Sequence, residues 1–238
     1  MSARIRLLSK IAAVCTLLGA APSRAEVAPL TDLESVYSVH WAGVAVGDAT
    51  VSLKADGSAG CYRYTTTTHP VSFIKALYGE PTQASRFCVK DGRVRSQHFE
   101  SVLASDRKQS YALTFDYQRH IVIDENGKTR EIPDEAVDSF SLQQAVRLWV
   151  EVHANDANPP VAEFTMVDQK NLTHYQFRLA GHEMVKTPAG SFDALKMERI
   201  DNPDKAGRFW LAAERGYMPV KIETRNGKKP TVQLLLKQ

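Results

Sequence analysis

Five consecutive residues invite a chemical reading. His182-Glu183-Met184-Val185-Lys186 opens like a zinc-protease helix, in which two histidines one turn apart hold the metal and the glutamate serves as base. Lys186 stands where the second histidine must be, and the segment alternates as a strand, which sends His182 and Glu183 to opposite faces. The other histidines, His40, His69, His98, His120, His153 and His174, lie at spacings that make no ligand set. The sequence has no Gly-x-Ser-x-Gly elbow, no glycine-rich phosphate loop and no calcium loop. No catalytic residue, metal or cofactor is therefore expected.

The cysteines are more informative. The chain opens with Arg4, Arg6 and Lys10, continues through an apolar run from Ile11 to Ala21, and reaches Pro22-Ser23-Arg24-Ala25, with small residues at both positions a signal peptidase reads. Residues 1–25 are thus expected to be a cleaved signal peptide, leaving Glu26 first in a periplasmic protein without an integral membrane segment. The run is too short to span a bilayer, which takes about 20 residues, and Val14 before Cys15 does not suit a lipoprotein signal. That leaves Cys61 and Cys88 in an oxidising compartment, where two cysteines suggest a disulfide. If the strands that carry them return on each other as a hairpin, residues whose numbers sum to about 149 face one another. Opposed Cα atoms then lie about 4.5–5.5 Å apart, and the closer, non-hydrogen-bonded pairing suits the bond better.

The same cleavage removes four of 30 basic and none of 27 acidic residues, leaving 26 against 27, a net charge near −1. No basic excess remains to neutralise a phosphate backbone, so nucleic acid is not an expected partner. Residues 26–238 suffice for a single β-rich domain.

The elements that must position any site announce themselves by alternation. Tyr111, Leu113, Phe115 and Tyr117 alternate with Ser110, Ala112, Thr114 and Asp116, and Tyr175, Phe177 and Leu179 alternate with Gln176 and Arg178. A period of two means strands with one buried face. Strands are predicted over 34–42, 44–54, 60–68, 83–90, 93–103, 108–117, 119–124, 128–132, 161–168, 173–180, 182–187, 191–200, 207–213, 217–225 and 231–237. Asp91-Gly92, Asn126-Gly127 and Asn226-Gly227 read as two-residue hairpin turns, and Thr187-Pro188-Ala189-Gly190 as a type I turn. Such turns string sequential strands into an antiparallel meander.

One segment follows another period. Leu142, Ala145, Val146 and Trp149 recur at helical spacing, Gln143, Gln144, Arg147 and Glu151 occupy the other side, and Ser141 to Gln144 has the form of a capping box. An amphipathic helix is predicted over 141–153, and a short one over 72–78. A long sheet with one amphipathic helix at mid-chain predicts a mainly β fold: a curved antiparallel meander sheet, a half-open barrel, wrapped around that helix.

Several segments together resemble a known family. Val36-Tyr37-Ser38-Val39-His40-Trp41-Ala42-Gly43 with Val46-Gly47, Ile132-Pro133-Asp134 leading to Asp138, Thr187-Pro188-Ala189-Gly190-Ser191-Phe192, and Phe209-Trp210-Leu211 running to Tyr217-Met218-Pro219-Val220-Lys221 are similar, in order and spacing, to landmarks of the exported family known as domain of unknown function 3108. The resemblance implies a curved antiparallel sheet with a helix against it, somewhat like periplasmic lipoprotein carriers. It implies no activity, catalytic residue or cofactor. The landmarks also read as structure: Gly43 and Gly47 as bends, Pro188 and Gly190 as a turn, Pro219 as an edge or bulge residue.

Aromatic residues supply the remaining candidates. Trp41, Trp149 and Trp210, with Tyr37, Phe115, Tyr175 and Phe177, either line a cavity between sheet and helix or form ordinary core. The leading expectation is a non-enzymatic binding or carrier module whose groove is walled by Trp149, Val146, Leu142, Trp41 and Trp210. Its partner would be a lipid-like or polysaccharide ligand. The alternatives are a scaffold that binds another envelope protein and an enzyme with a dispersed site.

Overall fold

Alternating sequences build fifteen strands, all in one sheet, in the computed structural model, which describes residues 30–238. The expected signal segment, 1–25, lies outside the described residues. The strands are β1 (Leu33–Trp41), β2 (Val44–Ala55), β3 (Cys61–Pro70), β4 (Pro81–Lys90), β5 (Arg93–Leu103), β6 (Tyr111–Asp116), β7 (Ile121–Asp124), β8 (Thr129–Glu131), β9 (Ala136–Asp138), β10 (Ala162–Val167), β11 (Leu172–Thr187), β12 (Gly190–Arg199), β13 (Lys205–Ala212), β14 (Met218–Asn226) and β15 (Val232–Leu236). Helix α1 (Ser72–Tyr78) links β3 to β4, and α2 (Ser139–His153) links β9 to β10.

In space the order runs from β8 down to β1, then from β15 down to β9, so the first and last strands pair in the middle of the sheet. The edges β8 and β9 do not pair with each other, and the barrel stays open. The sheet is nevertheless rolled. Edge strand β9 tucks against β5 and the turn that follows β6: Asp138 N donates to Ser96 Oγ at 2.9 Å, and Tyr117 OH donates to the Ala136 carbonyl at 2.8 Å.

Local geometry departs from expectation at identifiable places. Strand β9 was not foreseen, and its pairing with β10 is parallel, so the sheet is not wholly antiparallel. Its three residues are too few to display a period. The segments 173–180 and 182–187 form one long strand, β11, kinked at the bulge between Leu179 and His182 beside Gly181. Asp91-Gly92 is a two-residue turn with positive φ at both positions, but Asn126-Gly127 and Asn226-Gly227 belong to longer connections. Ala42-Gly43, unmarked by Asn or Asp, makes the other such turn, since Trp41 faces Val44 and both φ angles are positive. Gly47 is required by space, because a Cβ there would stand 2.4 Å from the His69 carbonyl oxygen. Pro219 does sit at a bulge, opposite Leu211.

Strands β3 and β4 pair in the register expected, with Cys61 opposite Cys88, and the two sulfurs are bonded. Val89 N donates to Gly60 O at 2.7 Å, so the hydrogen-bonded pair is the neighbouring one and the cysteines occupy the close, non-hydrogen-bonded position, with Cα atoms 3.9 Å apart.

Helix α2 starts two residues before the predicted capping box. Its cap is Asp138, whose carboxylate accepts from Phe140 N and Ser141 N at 2.8 and 2.9 Å and from the hydroxyls of Ser85 and Ser141. Asp138, Ser85 and Ser141 are fully buried. The knot fastens the helix start to β4 and β5, and Ser141 serves the Asp138 cap instead of capping the helix itself.

Candidate functional site

Helix α2 meets the rolled sheet on two sides. Toward β3–β6 the contact is solid: Phe140 packs edge-on against Tyr64 and Phe99 with ring centres 5.5 and 5.7 Å away, and Tyr62, Phe87, Leu113 and Val122 continue the core. Toward β10–β15 the helix and sheet stand apart and leave a cavity of about 700 Å3 open to solvent. Leu142 and Val146 wall it from the helix. Across from them are Met166, Phe177, Phe209, Leu211, Ile222 and Leu234. The residues face inward because the β-strand period places alternate side chains of β13 and β14 on one side. Phe177 holds the aromatic part of this wall together, stacked on Tyr175 and edge-on to Phe209 with a centre distance of 5.8 Å.

Of the residues nominated from sequence, the structure brings Leu142, Val146 and Trp41 to the cavity, Trp41 at its mouth and 46% exposed. Tyr175 and Phe177 line it as well. Trp149 does not. The cavity spans the first turns of α2, and Trp149, a turn beyond, lies against His153 with ring centres 4.6 Å apart and joins the core cluster of Phe177 and Leu195. Trp210 does not either, because on β13 it alternates with the inward-facing Phe209 and Leu211. Its indole N–H donates to Glu183 at 2.7 Å, and Lys196 and Lys221 lie over its ring. Tyr37 and Phe115 are buried core residues.

The histidine–glutamate pair is split between the two faces of the sheet, with Glu183 on the side of the buried Trp210. His182 meets Asp193 at 3.1 Å, while Glu183 on the opposite face takes Trp210 and Lys196, which hold its carboxyl below the usual carboxylate range. The pair cannot share a metal, and among the described residues no group of three His, Cys, Asp or Glu side chains is placed to hold one. No described helix is long and apolar enough to cross a membrane.

The polar part of the cavity wall has one sign. Arg147, Arg199, Lys205, Arg225 and Lys229 line it, and no Asp or Glu does. Arg199 is matched by Asp201 at 2.5 Å and lies over the Tyr175 ring. Arg147 makes no ion-pair contact among the described residues, and the carboxylate that acts on it, Glu151 one turn along α2, does so without touching it. The arginine is 5% exposed, and its Nε donates to the Gly216 carbonyl at 2.9 Å while Nη1 donates to Gln144 Oε1 at 2.7 Å. Burial pulls its pKa below the ordinary arginine value, against the opposing influence of Tyr64, Glu151 and Tyr37. Nearby, Tyr37 donates its hydroxyl to the Pro219 carbonyl at 2.8 Å, and burial pushes its pKa up to about 12. The Gln144 amide nitrogen is buried with no partner.

Helical spacing places Gln144 and Arg147 on the side opposite the apolar stripe, away from the expected groove, and so does not single them out. A helix enclosed by a rolled sheet has little solvent side, and the polar residues opposite its apolar stripe are driven inward. The enclosure itself, expected from the sequence, was the signal that could have found them.

Comparison with known proteins agrees with this architecture. A family model described as protein of unknown function DUF3108 matches residues 36–233. Among solved structures, the crystal structure of a beta-barrel-like protein of domain of unknown function DUF1849 from Brucella abortus is similar, with a TM-score of 0.53 and 9% sequence identity. The similarity covers 87% of this chain and 96% of that one, and at that identity it speaks for the fold alone. No curated protein matches.

Proposed function

The chain belongs to the DUF3108 family, and on that premise we propose that it is an exported, periplasmic binding or carrier protein that holds a lipid-like molecule between α2 and strands β10–β15. The observation that supports this reading is the cavity of about 700 Å3. That volume lies within the roughly 300–1,000 Å3 range of ligand sites, and the mix of an apolar wall with a few convergent polar groups is the usual composition of such sites. Its walls of Leu, Val, Met, Phe and Ile suit an acyl chain and not a polysaccharide, which would need a dense array of hydrogen-bonding groups. The disulfide between Cys61 and Cys88 suits an oxidising compartment.

Native mass spectrometry of protein isolated from its own envelope tests the reading. The expected spectrum shows a one-to-one complex with a small lipid-like molecule, on a chain that begins at Glu26. A chain that retains residues 11–21 would defeat the export argument, and apo protein that takes up no added lipid would defeat the carrier argument.

A further inference from the structure

A guanidinium almost wholly buried, with only the open cavity beside it, needs a reason to be there. Removing a charged group from water is expensive unless it is paired or hydrogen-bonded, and a buried cation without an anion is the costly half of a broken pair. Arg147 is such a cation. Two of its nitrogens give hydrogen bonds to neutral acceptors, Gly216 O and Gln144 Oε1, and Nη2 meets no acceptor among the described residues. The crowding is tight, since a Cβ on Gly216 would stand 3.2 Å from Nη2. The guanidinium nevertheless forms part of the cavity wall, next to the apolar Leu142 and Val146.

The remaining charges point the same way. Lys205, Arg225 and Lys229 stand exposed on the lining, at the end of β13 and β14 away from Gly216, and the ion pairs among the described residues include none of them. The pairs Leu211–Pro219 and Lys205–Asn226 are separated along β13 by about 20 Å, at about 3.3 Å per residue. Exposed cations at a mouth raise the local concentration of anions, and a buried one fixes an anion in place.

We propose that the ligand is an anionic amphiphile whose carboxylate or phosphate is held by Arg147 and whose apolar body lies along β11–β15. This rests on the lipid-binding reading above and names the chemical class of the ligand. Arginine suits both heads, because its planar fork of N–H donors matches either oxyanion. Lys205, Arg225 and Lys229 attract the ligand without being its fixed partner.

The test is displacement of a bound apolar fluorescent probe by hexadecanoate, hexadecyl phosphate and hexadecanol, each as monomer at one ionic strength. The native protein is expected to bind one or both anions about ten-fold or more tightly than the alcohol. A preference confined to one anion supports the proposal and identifies the head as carboxylate or phosphate. Arg147→Met is expected to abolish the preference, so that the two anions bind no more tightly than hexadecanol does to the same variant, whereas Lys205→Ser/Arg225→Ser/Lys229→Ser slows uptake and keeps the preference. Equal binding of hexadecanoate, hexadecyl phosphate and hexadecanol by the native protein overturns the proposal and leaves the lipid-binding reading standing. No saturable binding of any of the three overturns both. A preference that survives in Arg147→Met but disappears in the triple variant overturns the assignment to Arg147. Should Arg147→Met not fold, the native comparison still decides the charge, and Arg147→Lys, which keeps the cation without the fork, decides the residue by a weakened preference.

Discussion

The strands β2–β6 and the strands β10–β15 lie around the same helix, yet the first group packs solidly on its start, while the second packs on its end around Val150 and leaves a cavity beside its first turns. On the β2–β6 side Tyr64, Phe87 and Phe99 are all but inaccessible, a disulfide pins two adjacent strands, and the Asp138 knot fixes the helix start. On the other side Phe209, Ile222 and Leu234 are only partly buried and face a cavity with a cationic lining. Their outer face is tied by charge instead, with Lys196 between Glu183 and Glu198, and Lys221 on Glu223. The difference teaches that stability and binding are separated in this molecule: one side of the roll holds the helix, and the other leaves room beside it.

The largest test of that separation sets one aromatic against another. Phe99→Ala removes a ring packed against Phe140 and Tyr111 in a closed core, and is expected to lower stability by about 3–5 kcal/mol in denaturant unfolding. Phe209→Ala enlarges a space that already reaches solvent, and is expected to cost about 1 kcal/mol or less while weakening probe binding. Equal losses from the two variants would break the comparison.

The disulfide comes next. The cysteines are 27 residues apart, and closing a loop of that size stabilises a chain by about 3–4 kcal/mol on the entropy model. Cys61→Ala/Cys88→Ala should lower the melting temperature by about 10 °C in a domain of this size, with affinity for an apolar probe unchanged below the transition. A loss of binding at 25 °C would show that the packed side shapes the cavity after all. Asp138→Ala should cost about 2 kcal/mol, since it removes a helix cap and leaves Ser85 and Ser141 short of an acceptor.

How far these features were legible in the sequence follows from the kind of signal each one leaves. Alternation located the strands, and because Cys61 and Cys88 lie on consecutive strands, a simple return fixed their register. Helical spacing located α2 and the stripe of Leu142 and Val146. Strand β9 was hidden because a three-residue parallel edge strand carries no period and is recruited by tertiary contact. Asp138 was passed over as the cap because Ser141 and Gln144 imitate a capping box. The tryptophans were grouped by type, although parity along β13 separates Trp210 from Phe209. Arg147 reads as a surface residue until the sheet is known to close over it.

The smallest expected effect is in tyrosine ionisation. Burial raises the pKa of Tyr64 and Tyr117 well above the ordinary value, and that of Tyr37 to about 12. A folded-state pKa raised above that of the unfolded chain, about 10, means that the neutral phenol contributes stability in full below pH 10 and loses it as pH climbs toward 12. Spectrophotometric titration should therefore find these three tyrosines silent until the protein unfolds in alkali. Early titration of Tyr64, which donates to Gln143 on α2, would show that the packed side is looser than described.

The account's central claim is that the space between α2 and β10–β15 is a binding site separable from the fold. Val146→Trp tests it most directly, because Val146 lines the cavity from the helix and a larger ring there occupies the space a ligand would take. The measurement is saturation binding of an apolar fluorescent probe, paired with the melting temperature of the same samples. The account predicts that the variant melts at or above the native temperature and no longer binds the probe. Native-like probe binding in a folded Val146→Trp protein would contradict it.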